Sequence, residues 1–214
     1  AAKLMVGRTL EELGFTEEVN FEDFFVKEVV LPFIKFPGVD AVLGPEMKST
    51  GEVMGISSTF GRAFAKAPMG AGLALPTEGT ALIRVTHHDK KAVVPIARHL
   101  VELGFRILAT QGTAATLHAA GIPLTPILKV SEGRPNVLNY VRNDEIDLII
   151  NTPRGGQSFS DEASIRQVAI TYNIPYTTTM SGAAAAVSAI RALQSGELGV
   201  RSLQEYHLDR WNGG

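Results

Sequence analysis

The sequence predicts an α/β protein: a doubly wound, five-stranded parallel sheet over residues 79–214, preceded by a partial α+β segment over residues 1–67. Three observations carry this. From Thr80 onward, short apolar runs alternate five times with helix-compatible segments across short loops, the pattern of a parallel sheet covered on both faces. The run Asp147-Leu-Ile-Ile-Asn-Thr152 is unbroken in its apolar centre, as a strand buried on both sides is. Ala67 to Gly79 holds two prolines and three glycines in thirteen residues, which makes residues 68–78 a connection between two units.

The elements follow in order. Ala2 to Leu13 reads as a short helix closed by Gly14. Phe24 to Phe36, rich in β-branched and aromatic residues, reads as a strand broken at Pro32. Gly44 to Gly55 reads as mostly loop, and Ser57 or Ser58 as the cap of a helix running to Ala67. These are too few elements for an independent two-layer domain, which suggests that preceding chain is missing. Beyond the connection, strands are predicted at Thr80–Thr86, Arg106–Thr110, Leu124–Val130, Asp147–Thr152 and Pro175–Met180. Helices are predicted at Asp89–Leu103, Thr113–Ala120, Asn136–Asn143, Asp161–Tyr172 and Ala183–Ser195. The first of these repeats Val93, Ile96, Ala97, Leu100 and Val101 at helical spacing, with Pro95 expected to kink it or to delay its start.

Composition narrows the function classes. In 214 residues, 45% hydrophobic content and a mean hydropathy of +0.11 supply a packed core. A net charge of −2 carries no basic footprint for nucleic acid. Cysteine is absent, which removes disulfides and thiolate metal sites and fits a reducing compartment. No run approaches the ~18 apolar residues of a membrane span, and no signal peptide is visible at Ala1-Ala-Lys-Leu4. The expectation is a cytoplasmic protein.

In a doubly wound sheet, ligands lie outside the carboxyl ends of the strands. Those ends gather Thr86 to Lys90, Thr110 to Thr113, Lys129 to Arg134, Asn151 to Gly156 and Thr177 to Gly182 on one rim. Thr110-Gln-Gly-Thr113 links a strand to a helix N-terminus, where backbone N–H groups and the positive dipole end favour an anion. Thr113 as a simple helix cap and Gly112 as a turn residue explain the same motif about equally well. Lys90 and Lys129 add two ammonium groups to the hydroxyls of Thr110 and Thr113, which is phosphate-binding chemistry. Asn151 can donate and accept, and so can read a ribose or a base or satisfy a strand-end backbone group. Catalytic groups are scarce: His87 and His88 have no nucleophile partner, Asp89 is the rim carboxylate, and Asp161 is one loop away. Glu46 and Glu52 lie in a loop without histidine and make no metal site; Glu28 reads from its neighbours as a strand carboxylate paired with Lys27 or Lys35.

Val26-Lys-Glu-Val-Val-Leu-Pro-Phe33, Lys35-Phe-Pro-Gly-Val-Asp40 and Leu43-Gly-Pro-Glu-Met-Lys-Ser-Thr-Gly-Glu-Val-Met-Gly55 resemble the end of the second ATP-grasp domain of the carbamoyl-phosphate synthase large subunit. Asp89-Lys90, Ala109-Thr-Gln-Gly-Thr113, Lys129-Val130, Glu132-Gly-Arg-Pro135, Ile149-Ile-Asn-Thr152, Ile165-Arg166 and Tyr176-Thr-Thr-Thr179 resemble the regulatory domain of the same subunit, which shares its fold with methylglyoxal synthase. The resemblance implies a C-terminal fragment, itself without catalytic residues, of an ATP-dependent ligase that uses ATP and Mg or Mn. That enzyme makes carbamoyl phosphate from bicarbonate and glutamine-derived ammonia, for pyrimidine and arginine biosynthesis. It further implies UMP as inhibitor overlapping an IMP site, ornithine as activator, a glutaminase small subunit as partner, and assembly through this domain. By position, Lys90, Thr110, Gly112, Thr113 and Lys129 would hold the effector phosphate. Val130, Asn151, Asp161 and Ile165 would surround ribose and base, and Glu28 and Thr178 would reach ornithine.

The chain departs from the bacterial pattern at Pro153, where a second threonine is expected, and at Gln111, where enteric members carry histidine. Pro153 removes a hydroxyl and an N–H from the site, and both changes bear on the IMP response. Lys129 stands where acetylglutamate-activated relatives carry tryptophan, which points to UMP. An alternative is an enzyme of the methylglyoxal synthase type acting on a triose phosphate, which needs a carboxylate where this chain has Asn151-Thr-Pro153. A third is an interaction module without a small ligand.

Overall fold

The computed structural model describes residues 1–17, 22–30, 51–153, 159–196 and 198–206, with the side chains of 159–161 excepted. Its centre is a five-stranded, all-parallel sheet in the order β5-β4-β3-β6-β7. The strands are β3 (Thr80–Arg84), β4 (Arg106–Thr110), β5 (Thr125–Ile127), β6 (Leu148–Asn151) and β7 (Tyr176–Thr177). Helices α3 (Lys90–Glu102), α4 (Gln111–Ala119), α5 (Val137–Arg142), α6 (Phe159–Thr171) and α7 (Met180–Gln194) connect or follow them. The doubly wound α/β prediction is therefore correct in class, strand number and direction.

Two cores form because alternate residues of each strand face opposite ways. Ala81 and Ile83 pack with Val93, Ile96, Ala97 and Leu100 of α3, Leu117 of α4, and Val187 and Ile190 of α7. Leu82 and Ile149 pack on the other face with Val141 of α5 and Ile165 and Ala169 of α6. The chain runs from β3 outward to β5, then returns to place β6 on the far side of β3. That reversal opens a crevice at the carboxyl ends of β3 and β6, where ligands of such sheets bind. α3 continues through Pro95 as one helix.

The first segment folds differently from its prediction. A four-residue helix α1 (Ala2–Met5) and a 3-10 turn at Glu11–Leu13 replace one helix over 2–13, because Gly7 turns the chain at φ 93°. β1 (Phe24–Val30) pairs antiparallel with β2 (Gly51–Ser57), so residues 51–55 are strand rather than loop. The rest of the predicted strand to Phe36, with Pro32 and Lys35, lies outside the described residues. Thr59, not Ser57 or Ser58, stands at the N-cap position of α2 (Phe60–Gly70) without a side-chain capping bond, since Ser57 is still paired in β2.

α2 lies between the hairpin and α7, and small residues permit that. A Cβ on Gly55 of β2 would come to 2.0 Å from the Ala63 carbonyl oxygen, and one on Gly61 of α2 to 2.6 Å from the Ser188 carbonyl oxygen. The Ile56 carbonyl accepts from Lys66 Nζ (2.7 Å) and from the Tyr206 hydroxyl (3.2 Å), which ties the C-terminal segment to the hairpin. The Gln194 amide donates to the carbonyls of Thr77 and Leu103 at 2.7 and 2.8 Å and so anchors residues 71–79 against the sheet domain. Among the described residues no helix is long and apolar enough to cross a membrane.

Candidate anion site at the sheet rim

The β4–α4 turn is tighter than predicted. α4 begins at Gln111, with Thr110 at its N-cap in extended conformation, so Thr113 is a residue of the first helical turn and no cap. Thr113 is buried, and its hydroxyl accepts the Val85 N–H at 3.2 Å, which locks the turn onto the end of β3. A hydroxyl that accepts still has its own hydrogen to give. The first N–H groups of α4 have no partner within the helix and face outward with the positive end of its dipole. Gly112 is exposed, and the Lys90 ammonium lies 3.4 Å from the position a Cβ would take there. Lys90 has no acidic partner among the described residues. Two positive features thus adjoin, with no ion pair joining Lys90 to a carboxylate among the described residues.

Beside this turn, the Thr86 N–H donates to the Thr152 hydroxyl oxygen (2.9 Å), and the Thr86 hydroxyl donates to Asp89 Oδ2 (2.7 Å). The bond from Thr86, then one from the Thr152 hydroxyl, and the nearby His88 hold the Asp89 carboxyl below the ordinary carboxylate range. A carboxyl depressed by folding contributes stability above its unfolded value, and that contribution is lost as pH falls through the folded one. Thr86→Ala is expected to raise the Asp89 midpoint and shrink that contribution. Carbon-13 NMR titration of the carboxyl reads it, and an unmoved midpoint would remove Thr86 as the cause.

Lys129 does not reach the turn as a free cation. It precedes a 3-10 turn, Val130–Glu132, in which its ammonium and its N–H both bind the Glu132 carboxylate. These bonds hold Glu132 below its usual range. Val130, predicted at a strand end, begins this turn and packs on the second core. Ile165 is 1% exposed within that core. The side chain of Asp161, and Arg154 and Gly156, lie outside the described residues; Pro153 is exposed.

Asn151, 1% exposed, accepts from Arg84 Nη1 at 2.9 Å and donates to the Tyr176 hydroxyl. Arg84, at 6% exposure, also meets Glu162 Oε1 at 3.4 Å. Sequence reasoning missed this buried cluster. The available signal was Arg84 directly after the apolar run Ala81-Leu-Ile83, with Glu162 and Arg166 one turn apart on α6. Thr178 is exposed between β7 and the α7 cap, Thr179, whose hydroxyl accepts the Gly182 N–H at 3.0 Å. Glu28 is in the hairpin opposite Val53, half-buried, and burial pushes its carboxyl up. Lys27 pairs with Glu52 across the hairpin at 2.6 Å, not with Glu28; Glu46 lies outside the described residues. No group of three metal-ligating side chains occurs among the described residues.

The MGS-like domain model matches residues 92–178, which span α3 through β7. The chain is 51% identical over 206 residues to the carbamoyl phosphate synthase large chain of Nostoc sp., covering 96% of this chain and 19% of that one. It is 53% identical over 208 residues to the Pseudomonas putida large chain and 51% over 208 to that of Archaeoglobus fulgidus, each match covering 97% of this chain and 19% of the relative. A crystal structure of methylglyoxal synthase from Elizabethkingia anophelis NUHP1 superposes loosely, with a TM-score of 0.43 and 16% identity over 54% of this chain and 80% of that one. The match to the large chains runs through hairpin, α2 and sheet domain alike, at half of all positions. The chain belongs with the carbamoyl phosphate synthase large chains, as a stretch spanning about a fifth of their length that includes an MGS-like domain.

Proposed function

We propose that this chain is the effector-binding part of a carbamoyl phosphate synthase large chain and binds the phosphate of UMP, and of IMP at an overlapping site, at the β4–α4 turn. The observation that carries this is the Lys90 ammonium seated against Gly112 at the helix N-terminus, with no acidic partner among the described residues. A phosphate there would accept from the first N–H groups of α4, from Lys90 and from the Thr113 hydroxyl. Lys129 would join by leaving Glu132. The whole enzyme would use ATP and Mg or Mn to make carbamoyl phosphate from bicarbonate and ammonia that a glutaminase small subunit supplies, for pyrimidine and arginine biosynthesis. Ornithine would act through Glu28 and Thr178, on the hairpin and at the foot of α7 respectively.

The rim supports sensing over catalysis. Its carboxylate, Asp89, is held below the ordinary range, away from the neutral value that suits a general base. α7 packs on the sheet by one side and on α2 by another, so a shift at β7 would be felt by the hairpin. Effectors regulate in this way only when each prefers a different arrangement, and their coupling is then reciprocal.

Titration calorimetry with UMP tests the site. A charge-assisted hydrogen bond contributes about 1.5–3 kcal/mol, so Lys90→Ala is expected to weaken UMP on the order of 10–100-fold. Lys129→Ala should weaken it less, because the wild-type ammonium must first part from Glu132. Unchanged affinity in both variants would reject the site, and phosphate release from dihydroxyacetone phosphate would reject a purely regulatory role.

A further inference from the structure

The Asn151 amide is fixed from both sides. Arg84 and Asn151 are register partners across β3 and β6, and the Thr152 N–H donates to the Arg84 carbonyl at 3.1 Å, so the two strand ends are held together by the main chain. A guanidinium has donors and no acceptor. The atom that Arg84 Nη1 meets must therefore be the amide oxygen, and the amide cannot flip without placing N–H against N–H. With Oδ1 so assigned, Nδ2 points to the Tyr176 hydroxyl on β7. Glu162, 1% exposed and 3.4 Å from the same Nη1, holds the guanidinium in place. A primary amide has two donor hydrogens and two acceptor lone pairs. One of each is used, and the remaining pair has a fixed sense.

We propose that Arg84 and Tyr176 are positioning residues of the effector site: together they lock the Asn151 amide in one of its two flipped orientations, so that the crevice presents a single donor–acceptor order to the ribose or base of a nucleotide. The proposal rests on the rim being a nucleotide site. Tyr176 does not touch the ligand and acts through Asn151. Its own hydroxyl is desolvated, and burial pushes its ionisation up, so at neutral pH it is a neutral acceptor for Nδ2. The arrangement explains why three large polar side chains, Arg84, Asn151 and Glu162, are buried at the end of an apolar sheet, where each is costly unless hydrogen-bonded.

UMP calorimetry on four proteins tests this: wild type, Tyr176→Phe, Asn151→Ala and the double variant. Tyr176→Phe is expected to weaken UMP roughly threefold to tenfold, and the double variant to bind no worse than Asn151→Ala alone. Independent, additive losses would overturn the proposal, since contacting pairs that act as a unit are non-additive. A ligand-free measurement keeps it separate from the proposed function. The Tyr176 ring-carbon signal, assigned by its loss in Tyr176→Phe, should move in Asn151→Ala. The Asn151 side-chain amide should exchange faster with water in Arg84→Lys, which keeps the charge beside Glu162. If both signals stay put, the lock is absent whatever the nucleotide does. If both respond while wild type binds no UMP, the nucleotide assignment fails and the lock stands as a device of the fold.

Discussion

Glu162→Ala is expected to lower the stability of the folded chain by about 3 kcal/mol or more, the cost of breaking a buried ion pair by removing one partner. Arg84 and Glu162 are 6% and 1% exposed and sit where the second core meets the rim. Truncation takes a buried carboxylate away from a desolvated guanidinium. The Glu162→Gln variant keeps the volume and an acceptor oxygen, and should lose less. Urea unfolding measures both, and the midpoint should fall with the slope unchanged. A loss below about 1 kcal/mol for the alanine variant would show that solvent or another group replaces Glu162 cheaply.

Gly55→Ala is expected to be nearly as severe, for a steric reason. The new methyl would lie 2.0 Å from the Ala63 carbonyl oxygen and 3.0 Å from the Ala67 nitrogen, both main-chain atoms of α2. α2 cannot retreat, because Gly61 on its other side already approaches the Ser188 carbonyl so closely that a Cβ would meet it at 2.6 Å. Overpacking of this kind costs about 1–3 kcal/mol where neighbours can yield, and here neither can. The expected outcome is separation of the hairpin from α2, seen as lost amide-exchange protection in β1 and β2 with protection kept in β3, β4 and β6. Uniform loss through all strands would show that hairpin and sheet unfold together, and no loss would show that the clash is absorbed.

The parallel sheet was legible in the sequence because its strands are buried on both faces and therefore continuously apolar. Ala81-Leu-Ile83 and Leu148-Ile-Ile150 carry no competing signal. β2 was not legible. Gly51, Glu52 and Gly55 read as loop residues and Ser57 as a helix cap, and they form a strand because β1 lies opposite in antiparallel register and α2 needs Gly55 to approach. α4 starts two residues earlier than its pattern suggests, since Gly112, taken for a turn residue, is tolerated in a first turn whose N–H groups face the rim. Of the proposed phosphate ligands, the structure brings Lys90, Gly112 and Thr113 together, while Lys129 is held by Glu132 three residues on. Spacing alone could not show that pairing, because a glutamate after a strand reads as a solvated surface charge. The Arg84–Glu162 contact spans 78 positions and has no local signature.

If the rim binds a phosphate as proposed, the Lys129–Glu132 contact is an internal stand-in for that ligand. The carboxylate occupies the ammonium in the manner of an arriving anion, so recruitment of Lys129 to a ligand would be an exchange of partners and not the filling of a vacancy. Because the same bonds hold the Glu132 carboxyl below its usual range, mild acidification is not expected to release the lysine, whereas a stronger competing anion would. Glu132→Gln would therefore make Lys129 available in advance and raise UMP affinity. On the proposed reading, Glu132 would set the threshold concentration at which the rim responds, and would do so without touching the nucleotide.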